Sequence, residues 1–312
     1  MVFFQTVTAN GKSYLLSQIF INHMRNRFFG KYVIVTGASL GLGKAIARKL
    51  ASEGCNLILL SLPNEDLEEY CRELRINYGI DTLYFETDLR EAENIREFAD
   101  WTLSQNVDIR GLVNNAGLGG SAQFDEADLL TLDTMILVNI RALTLLTRLF
   151  VPELITKENA FVLNVSSIAA FKPMPYKTVY PASKAYVYSF SVGLGEELKK
   201  TPIQISVLHP GPMDTSEENF HRLKKHGVLG RLVLLTVDEV AEIGVNQLLR
   251  GKKVIVPGIF NKICINLLKC IPRRIAMPIL YNFLKKETHK KPVSRDAKII
   301  PIETRVTGEE EV

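Results

Sequence analysis

The sequence predicts an α/β fold in which helices cover both faces of one doubly wound parallel sheet of about seven strands. Short runs rich in Val, Ile and Leu alternate with helical patterns along the chain, as expected of repeated strand–helix units. A glycine-rich turn follows the first of these runs. The composition, 46% hydrophobic and 23% charged over 312 residues, is typical of a globular protein with a large core.

The predicted strands are short apolar runs, the pattern of strands that are buried on both faces. They are Tyr32–Thr36, Asn56–Ser61, Thr82–Glu86, Gly111–Val113, Phe161–Val165, Gln204–Leu208 and Lys253–Val256. The helical patterns between them are Lys44–Glu53, Glu65–Tyr78, Glu91–Gln105, Leu129–Ile155, Tyr180–Lys200 and Asp238–Arg250.

We expect residues 31–258 to form a single domain, because no repeat of fixed period and no Pro/Ser-rich linker divides them. Residues 1–30 lack the basic start and compact apolar stretch of a signal peptide, and we interpret them as an N-terminal extension. Residues 259–286 form a basic amphipathic segment, and residues 287–312 are predicted to be a flexible tail.

The turn after the first predicted strand has the features of a phosphate-binding loop. Gly37, Gly41 and Gly43 in TGASLGLG permit a tight strand-to-helix turn, a close approach of a pyrophosphate to the backbone, and close helix packing. The N–H groups and the positive dipole end of the following helix would bind the diphosphate. The other residues expected to line this loop are Ser39, Leu40 and Leu42.

Tyr180 and Lys184 are four residues apart in a helical pattern, so their side chains would share one face of the helix. A nearby cation favours the phenolate and would lower the pKa of a tyrosine from its usual value of about 10. The pair is therefore a candidate general acid, although YxxxK alone is more often a surface pair. Ser167, thirteen residues earlier at the end of a predicted strand, would bring a hydroxyl into the same cleft.

Together, the glycine-rich turn, Ser167 and the YxxxK pair closely resemble the short-chain dehydrogenase/reductase family. The resemblance implies a Rossmann fold and an NAD(P)-dependent oxidoreductase that acts on a carbonyl or secondary alcohol. It implies that Tyr180 is the general acid/base, that Ser167 holds the substrate oxygen, and that Lys184 binds the nicotinamide ribose and depresses the tyrosine pKa. Asn139 in ILVNIRAL matches the asparagine that anchors a water in the proton relay.

The same resemblance, which covers about residues 31–258, implies further cofactor contacts. Asp88 and Leu89 would contact adenine, with the alternative that Asp88 caps the next helix. The segment HPGPMDT matches the family's PGxxxT, in which backbone groups and a threonine hydroxyl hold the carboxamide. The implied cofactor residues are Gly37, Ser39, Leu40, Gly41, Leu42, Gly43, Ser61, Asp88, Leu89, Asn115, Ala116, Gly117, Tyr180, Lys184, Pro210, Gly211 and Thr215.

Two neighbouring features complete the expected site. Ser166 lies one position off the family spacing, and we interpret it as structural or as a weak second contact. Ser216–Val237 would form a lid, a role commonly given to mobile segments, and Leu118–Phe124 would form another wall of the cleft.

The second predicted strand ends without the acidic residue that would bind the ribose of NAD and repel a 2′-phosphate. Ser61 and Asn64 could donate to a phosphate, but Leu40 occupies a loop position that is often basic in NADP users. We predict NADP as the cofactor, with NAD as the alternative.

The residues after the predicted domain suggest a surface contact. The region 261–286 interleaves Ile, Leu and Phe with Lys and Arg, and Pro272 and Pro278 must break or kink any helix there. Such a segment can lie on an anionic membrane surface as a peripheral contact, or its apolar face can pack over the substrate cleft or against a second subunit.

The remaining composition sets the expected compartment and partners. Four cysteines without a CxxC pair indicate a reducing compartment, and we expect a cytoplasmic protein with peripheral membrane contact as an addition. The histidines show no metal-ligand spacing, so we expect no metal site, and we expect no nucleic-acid partner. The family resemblance implies a homo-oligomer.

The apolar, basic C-terminal region favours a hydrophobic substrate such as a steroid, a lipid or an acyl ketone. Two alternatives remain at this point. One is a non-catalytic nucleotide-binding sensor, and the other is an epimerase or dehydratase that holds its nicotinamide tightly.

Overall fold

A parallel sheet forms the centre of the computed structural model, which describes residues 28–214 and 234–288. Within these ranges the seven strands of the sheet are β1 (Tyr32–Thr36), β2 (Asn56–Ser61), β3 (Thr82–Glu86), β4 (Ile109–Asn114), β5 (Phe161–Val165), β6 (Gln204–Leu208) and β9 (Val254–Ile255). A separate parallel pair is formed by β7 (Met213–Asp214) and β8 (Leu235–Thr236).

The strand order is β3-β2-β1-β4-β5-β6-β9. The chain therefore builds outward from β1 to β3 and then returns to the other side of β1 with β4. In doubly wound sheets, ligands bind outside the carboxyl ends of the strands at this point of reversal. Thr36 at the end of β1 and Asn114 at the end of β4 border that crevice.

Helices pack on both faces of the sheet. In the described ranges they are α1 (Gly41–Ser52), α2 (Leu67–Tyr78), α3 (Ala92–Ser104), α4 (Leu129–Ile136), α5 (Leu143–Leu154), α6 (Val179–Glu197), α7 (Val237–Leu249), α8 (Ile259–Cys270) and α9 (Arg273–Thr288). A short 3-10 turn, Ile168–Phe171, follows β5.

The core is divided by the sheet, and β1 shows how. Val33 and Val35 belong to a cluster with α1, α2 and α7, whereas Ile34 between them belongs to a cluster with α3 and α5. Alternate residues of a strand point to opposite faces, so a strand with apolar residues at every position contributes to both clusters. On the second face Phe98 and Phe150 pack edge to face with ring centroids 6.0 Å apart.

The long helix predicted at Leu129–Ile155 is interrupted. A π-helical turn, Leu137–Ala142, separates α4 from α5 and carries Asn139. The run Leu129–Leu154 is long and apolar enough to cross a membrane by length and composition alone. Leu146 and Phe150 are buried against the sheet, so α5 is part of the core, whereas Leu129 and Ile136 in α4 are exposed.

The predicted amphipathic segment forms two helices that pack on the domain. Pro272 lies between α8 and α9, which confirms the predicted break there, and Pro278 lies inside α9. α8 contacts the 3-10 turn after β5. The amine of Lys172 donates a hydrogen bond of 2.8 Å to the carbonyl of Ile271. The C-terminal helices are thereby fixed next to the residues that follow Ser167.

The predicted strands agree with the structure at β1, β2, β3, β5 and β6, whereas β4 is longer and β9 shorter than predicted. α2 begins at Leu67 instead of Glu65, because Asn64 and Asp66 adopt left-handed backbone angles, with φ of 64° and 53°. The predicted flexible tail begins at residue 287, but α9 continues to Thr288, so its first two residues are helical instead. The rest of the predicted tail, the N-terminal extension up to residue 27 and most of the predicted lid lie outside the described residues.

We predict that Phe150→Ala lowers the free energy of unfolding by about 3–5 kcal/mol, because it removes a fully buried ring from the centre of one cluster. Ile76→Ala, on the exposed face of α2, is the control and should change the free energy by less than about 1 kcal/mol. Urea unfolding followed by circular dichroism measures both. Equal losses in the two variants would contradict the described packing of α5.

Candidate active site

Tyr180 and Lys184 lie on the first turns of α6, as their spacing predicts. The Lys184 amine lies 5.9 Å from the centre of the Tyr180 ring. It donates a hydrogen bond of 3.0 Å to the carbonyl of Val165, the last residue of β5. The lysine is therefore directed at the end of the strand that precedes Ser167.

Ser167 begins the 3-10 turn after β5, and its hydroxyl accepts a hydrogen bond of 3.1 Å from the backbone N–H of Ala169. The same hydroxyl forms a hydrogen bond with Tyr180. Ser166 points elsewhere, because its hydroxyl donates to the carbonyl of Lys184 at 2.7 Å. Ser166 thus connects β5 to α6, in agreement with its interpretation as structural.

The pKa of the Tyr180 phenol is raised from its usual value, because burial penalises the phenolate more than the hydrogen bond with Ser167 favours it. The sequence predicted the opposite direction, with Lys184 lowering the tyrosine pKa, and that prediction is wrong. The Lys184 amine donates to the Val165 carbonyl and lies 5.9 Å from the centre of the ring, and its charge does not outweigh the cost of burying the phenolate.

Burial lowers the pKa of Lys184 to about 8. The side chain is only 6% exposed, so its charged form has lost most of its hydration. A lysine with this pKa keeps its proton at neutral pH, but it releases that proton more readily than a surface lysine does.

Asn139 lies in the π-helical turn and holds the backbone of Leu118 with two hydrogen bonds of 2.9 Å. Its amide also donates to the hydroxyl of Ser183, the residue next to Lys184. Asn139 therefore joins α4, α6 and the segment after β4. The π-helical turn was not predicted from the sequence, and it is this turn that carries the asparagine.

The glycine-rich loop closes against the segment Asn115–Gly117. A Cβ atom at Gly43 would lie 1.9 Å from the carbonyl oxygen of Gly37 and 2.4 Å from the amide nitrogen of Asn115. Gly37 itself has a φ of +63°. The amide of Asn115 donates to the carbonyls of Thr36 and Gly37 at 3.0 and 3.1 Å. The loop therefore needs glycine at position 43.

Gly117 links the two halves of the site. A Cβ atom there would lie 2.9 Å from Asn139 Oδ1 and 3.3 Å from Lys184 Nζ. Asn115 and Ala116 just before it contact the glycine-rich loop. The predicted phosphate-binding loop and the predicted catalytic residues are thus joined by one short stretch of backbone.

Two residues that the sequence did not single out hold this arrangement. The hydroxyl of Thr36 donates to the carbonyl of Val113 and accepts from the backbone N–H groups of Asn115 and Ala116, both at 3.0 Å. Asn164 in β5 accepts from Asn114 at 2.8 Å and donates to Ser191 of α6 at 2.9 Å. A polar residue inside an apolar strand is the signal that could have identified Asn164.

Asp88, which is predicted to contact adenine, is bonded to Arg90. The Asp88 carboxylate accepts hydrogen bonds from the backbone N–H and the guanidinium of Arg90, at 2.8 and 2.6 Å. α3 begins at Ala92 with Glu91 at its N-cap, so the alternative that Asp88 caps this helix is wrong. Leu89 is buried in the core beside it.

The loop after β2 faces the glycine-rich loop. Ser39 is buried and donates a hydrogen bond of 2.5 Å to the Glu65 carboxylate. Ser61 is also buried and donates to the carbonyl of Leu62. Leu40 is largely exposed, whereas Leu42 packs into the core. An acidic group therefore borders the region where a ribose would lie.

At the carboxyl end of β6, the Pro210 carbonyl accepts a hydrogen bond of 2.9 Å from the N–H of Ile168. Gly211 lies against Asn261 of α8, and a Cβ atom at Gly211 would come within 2.6 Å of the Asn261 amide. Thr215, the predicted carboxamide ligand, lies outside the described residues.

The cleft above Tyr180 is bordered by the segment after Gly117 and by α9. A Cβ atom at Gly119 would lie 3.5 Å from the Tyr180 ring. The N–H of Ala122 donates to the carbonyl of Tyr176 at 2.8 Å. The Tyr176 ring packs on Tyr281 of α9, with centroids 5.4 Å apart. Tyr176 has a φ of 62°, a left-handed conformation that costs energy for a tyrosine.

Comparison with known proteins identifies relatives of the chain. The family model described as short chain dehydrogenase matches residues 31–225. The very-long-chain 3-oxoacyl-CoA reductase of Anas platyrhynchos is 37% identical over 185 residues, which cover 58% of this chain and 59% of that protein. The chain therefore spans less than two thirds of the length of this relative.

Two further relatives match over more of their length. The NADP-dependent 3-hydroxy acid dehydrogenase of Schizosaccharomyces pombe is 30% identical over 237 residues, covering 74% of this chain and 92% of that protein. A metagenomic short-chain oxidoreductase crystallised with NADP superimposes with a TM-score of 0.61 and 28% identity, covering 74% of this chain and 99% of that one.

We predict that Gly43→Ala weakens NADPH binding by roughly tenfold or more, because its Cβ atom would displace the Gly37 carbonyl and the Asn115 amide. Gly193→Ala is the matched control, since a Cβ atom at this position in α6 meets nothing within 4 Å. Fluorescence titration with NADPH measures both variants. Unchanged affinity in Gly43→Ala would contradict the assignment of the loop.

A second prediction concerns pH. The folded state holds Lys184 at a pKa of about 8, below its usual 10.5, so the cost of burying the charge is fully present below pH 8 and is relieved as the pH rises to 10.5. Relative to Lys184→Met, the wild-type protein should gain up to about 3 kcal/mol of unfolding free energy across that window. Urea unfolding of both proteins from pH 7 to pH 10 measures the difference, and a constant difference would contradict the burial of the charge.

Proposed function

The chain belongs to the short-chain dehydrogenase family, and on this premise we propose that it is an oxidoreductase that transfers a hydride between NADP(H) and a carbonyl or secondary alcohol. The observation that carries the proposal is the group formed by Ser167, Tyr180 and Lys184 beside the Asn115–Gly117 segment. A hydroxyl pair next to a buried amine at the crevice of a doubly wound sheet has the parts that a carbonyl reduction needs.

The described residues fit a dinucleotide. A Cβ atom at Gly41, the first residue of α1, would meet nothing within 4 Å and Leu40 before it is exposed, so the loop is open to a diphosphate at the helix N-terminus, which favours an anion. The backbone near Gly117 leads from there to Lys184. When bound, the nicotinamide supplies or accepts the hydride, and the protein supplies orientation and the proton.

We assign the proton transfer to Tyr180. Its hydroxyl is neutral at pH 7, because burial raises its pKa, so it can donate a proton to an oxygen that becomes negatively charged as a ketone is reduced. Ser167 donates a hydrogen bond to the same oxygen and holds it near the phenol. In the reverse direction Tyr180 accepts the proton of the alcohol, and a cation nearby favours that step.

Lys184 stabilises the charge that forms in the site, and Asn139 holds the site's walls in place. Lys184 places a positive charge beside the phenol, which stabilises the phenolate left after proton donation. Asn139 fixes the Leu118 backbone and Ser183, and it thereby holds the cleft wall and the helix of Lys184 at a constant distance.

NADP as the cofactor is supported by the name of the Schizosaccharomyces pombe relative and by the crystal structure with bound NADP. The end of β2 is consistent with this choice, because Ser61 and Leu62 stand where an NAD-binding acid would be expected. Glu65 is acidic, but its carboxylate is bonded by Ser39, which directs it to the glycine-rich loop.

For the substrate we propose a hydrophobic ketone or its alcohol, in the class of acyl chains, lipids or steroids. The names of two relatives specify a 3-oxoacyl-CoA and a 3-hydroxy acid. The border of the cleft agrees with an apolar ligand, because it contains the paired rings of Tyr176 and Tyr281, and the neighbouring segment that bonds to Tyr176 through Ala122 carries the exposed Phe124.

We also propose that the protein is a homo-oligomer that associates through α4, α5 and α6. Leu129, Leu130 and Ile136 of α4 are exposed, as are Tyr186 and Val192 of α6. Apolar side chains on neighbouring helices are suited to an interface between copies.

Tyr180→Phe tests the proposed chemistry. We predict a loss of about 10²- to 10⁴-fold in kcat for reduction of a hydrophobic 3-ketone, followed by the absorbance of NADPH, because the proton donor is removed. NADPH affinity should change little. Tyr78→Phe, at the exposed end of α2, is the control and should retain full activity. Turnover by Tyr180→Phe at the wild-type rate would show that another group donates the proton.

A further inference from the structure

The outer face of α9 carries apolar side chains that are about half exposed in the described part of the structure. Ile275, Ile279 and Phe283 are 56%, 62% and 47% exposed. They are four residues apart and therefore lie one above the other along one side of the helix. We call this set the C-terminal ridge. Ile271, just before α9, is also exposed.

The ridge belongs to a helix that is fixed to the domain. Ala276 and Leu284 on a neighbouring side of α9 are buried. Tyr281 contacts Tyr176, and the Ile271 carbonyl before the helix accepts the Lys172 amine. α9 thus already has its buried face, and the ridge is a second apolar surface on the same helix.

The ridge is accompanied by positive charge. The region 261–286 contains six Lys or Arg residues and no Asp or Glu. Of these, Lys262, Arg274 and Lys285 are exposed. Lys285 lies over the Tyr281 ring, with its amine 5.8 Å from the ring centre. Glu287, four residues after Phe283 in α9, is acidic, so the two helices together carry six cations and one acid. An apolar stripe with this excess of cations matches the surface of a bilayer, whose interior is apolar and whose headgroups are anionic.

We propose that the C-terminal ridge binds the surface of an anionic lipid bilayer. In this arrangement Ile275, Ile279 and Phe283 enter the boundary between headgroups and acyl chains, while Arg274 and Lys285 contact lipid phosphates. A second copy of the chain is a poorer occupant, because a symmetric contact would bring two sets of six cations together with only Glu287 of each copy to balance them.

The position of the ridge gives membrane binding a consequence for catalysis, and this consequence rests on the proposed function. α9 borders the cleft through Tyr281 and Tyr176, and Tyr176 is bonded to Ala122 in the segment that passes over Tyr180. Tyr281 lies on the opposite side of α9 from the ridge, so binding through the ridge would place the bilayer about one helix diameter, roughly 10 Å, from the border of the cleft. A hydrophobic ketone dissolved in the lipid would reach the site from the membrane instead of from water.

Flotation of the full-length protein with vesicles tests the proposal. We expect the protein to float with vesicles made of equal parts phosphatidylglycerol and phosphatidylcholine, and to bind vesicles of phosphatidylcholine alone at least tenfold more weakly. Raising the salt concentration should release it, because the contribution of exposed cations is screened. The assay requires no cofactor and no substrate, so its result is independent of the proposed reaction.

Two double substitutions and one single control substitution separate the apolar contribution to binding from the electrostatic one. Ile275→Ser with Ile279→Ser should reduce vesicle binding roughly tenfold or more, since it removes the apolar stripe. Arg274→Gln with Lys285→Gln should reduce it roughly 10- to 30-fold on the anionic vesicles, at about 1 kcal/mol for each charge. Ile76→Ser, an equally exposed position on α2, is the control and should bind like the wild type.

Several results would overturn the proposal. They are absence of flotation with the anionic vesicles, equal binding to neutral vesicles, and unchanged binding in both ridge variants. A ridge that joins two copies would instead show a lower mass by light scattering for Ile275→Ser with Ile279→Ser, without any change in flotation. Circular dichroism of each variant confirms that it is folded, and turnover of a water-soluble ketone should be the same in all of them.

Discussion

The hydrogen bond between the Lys184 amine and the Val165 carbonyl is the interaction on which the candidate site depends. It fixes a buried cation at the carboxyl end of β5, where Ser167 begins the next turn and α6 brings Tyr180 alongside. Burial of that cation opposes folding, as the lowered pKa of Lys184 shows. The protein keeps a charged lysine at the place where a phenolate would form. Groups that destabilise the folded state in this way are concentrated at active sites, where they take part in the reaction.

The surrounding polar residues act as supports for this charge and for the loop opposite it. Thr36 and Asn115 close the glycine-rich turn on the end of β4, and Asn139 ties the segment after β4 to α6. Buried hydrogen bonds of this kind are directional, and each joins two elements that are distant in the sequence. Because they meet at the same crevice, a dinucleotide that spans the crevice would contact both halves of the domain. The C-terminal helices add a border to the cleft through Tyr281 without entering the sheet.

The sequence predicted the features that arise from local pattern. Apolar runs located β1, β2, β3, β5 and β6 correctly, because burial on both faces requires apolar residues at every position. Spacing placed Tyr180 and Lys184 on one helix. Three other features were not predictable in the same way. The π-helical turn at Asn139 has no distinct sequence signature. The Asp88 carboxylate binds Arg90 instead of capping the next helix, and the same chemistry would have served either contact. The pKa of Tyr180 reflects a burial that only the folded chain defines.

The central claim is that the glycine-rich loop and the Lys184 side of the crevice form one site for a phosphorylated nicotinamide dinucleotide. Fluorescence titration of the full-length protein with NADPH and with NADH, under identical conditions, tests it most directly. We predict saturable binding of both, with NADPH at least tenfold tighter. Tighter binding of NADH would show that Glu65 beside Ser39 determines the choice and that the cofactor assignment is wrong. Binding of neither would contradict the oxidoreductase account as a whole.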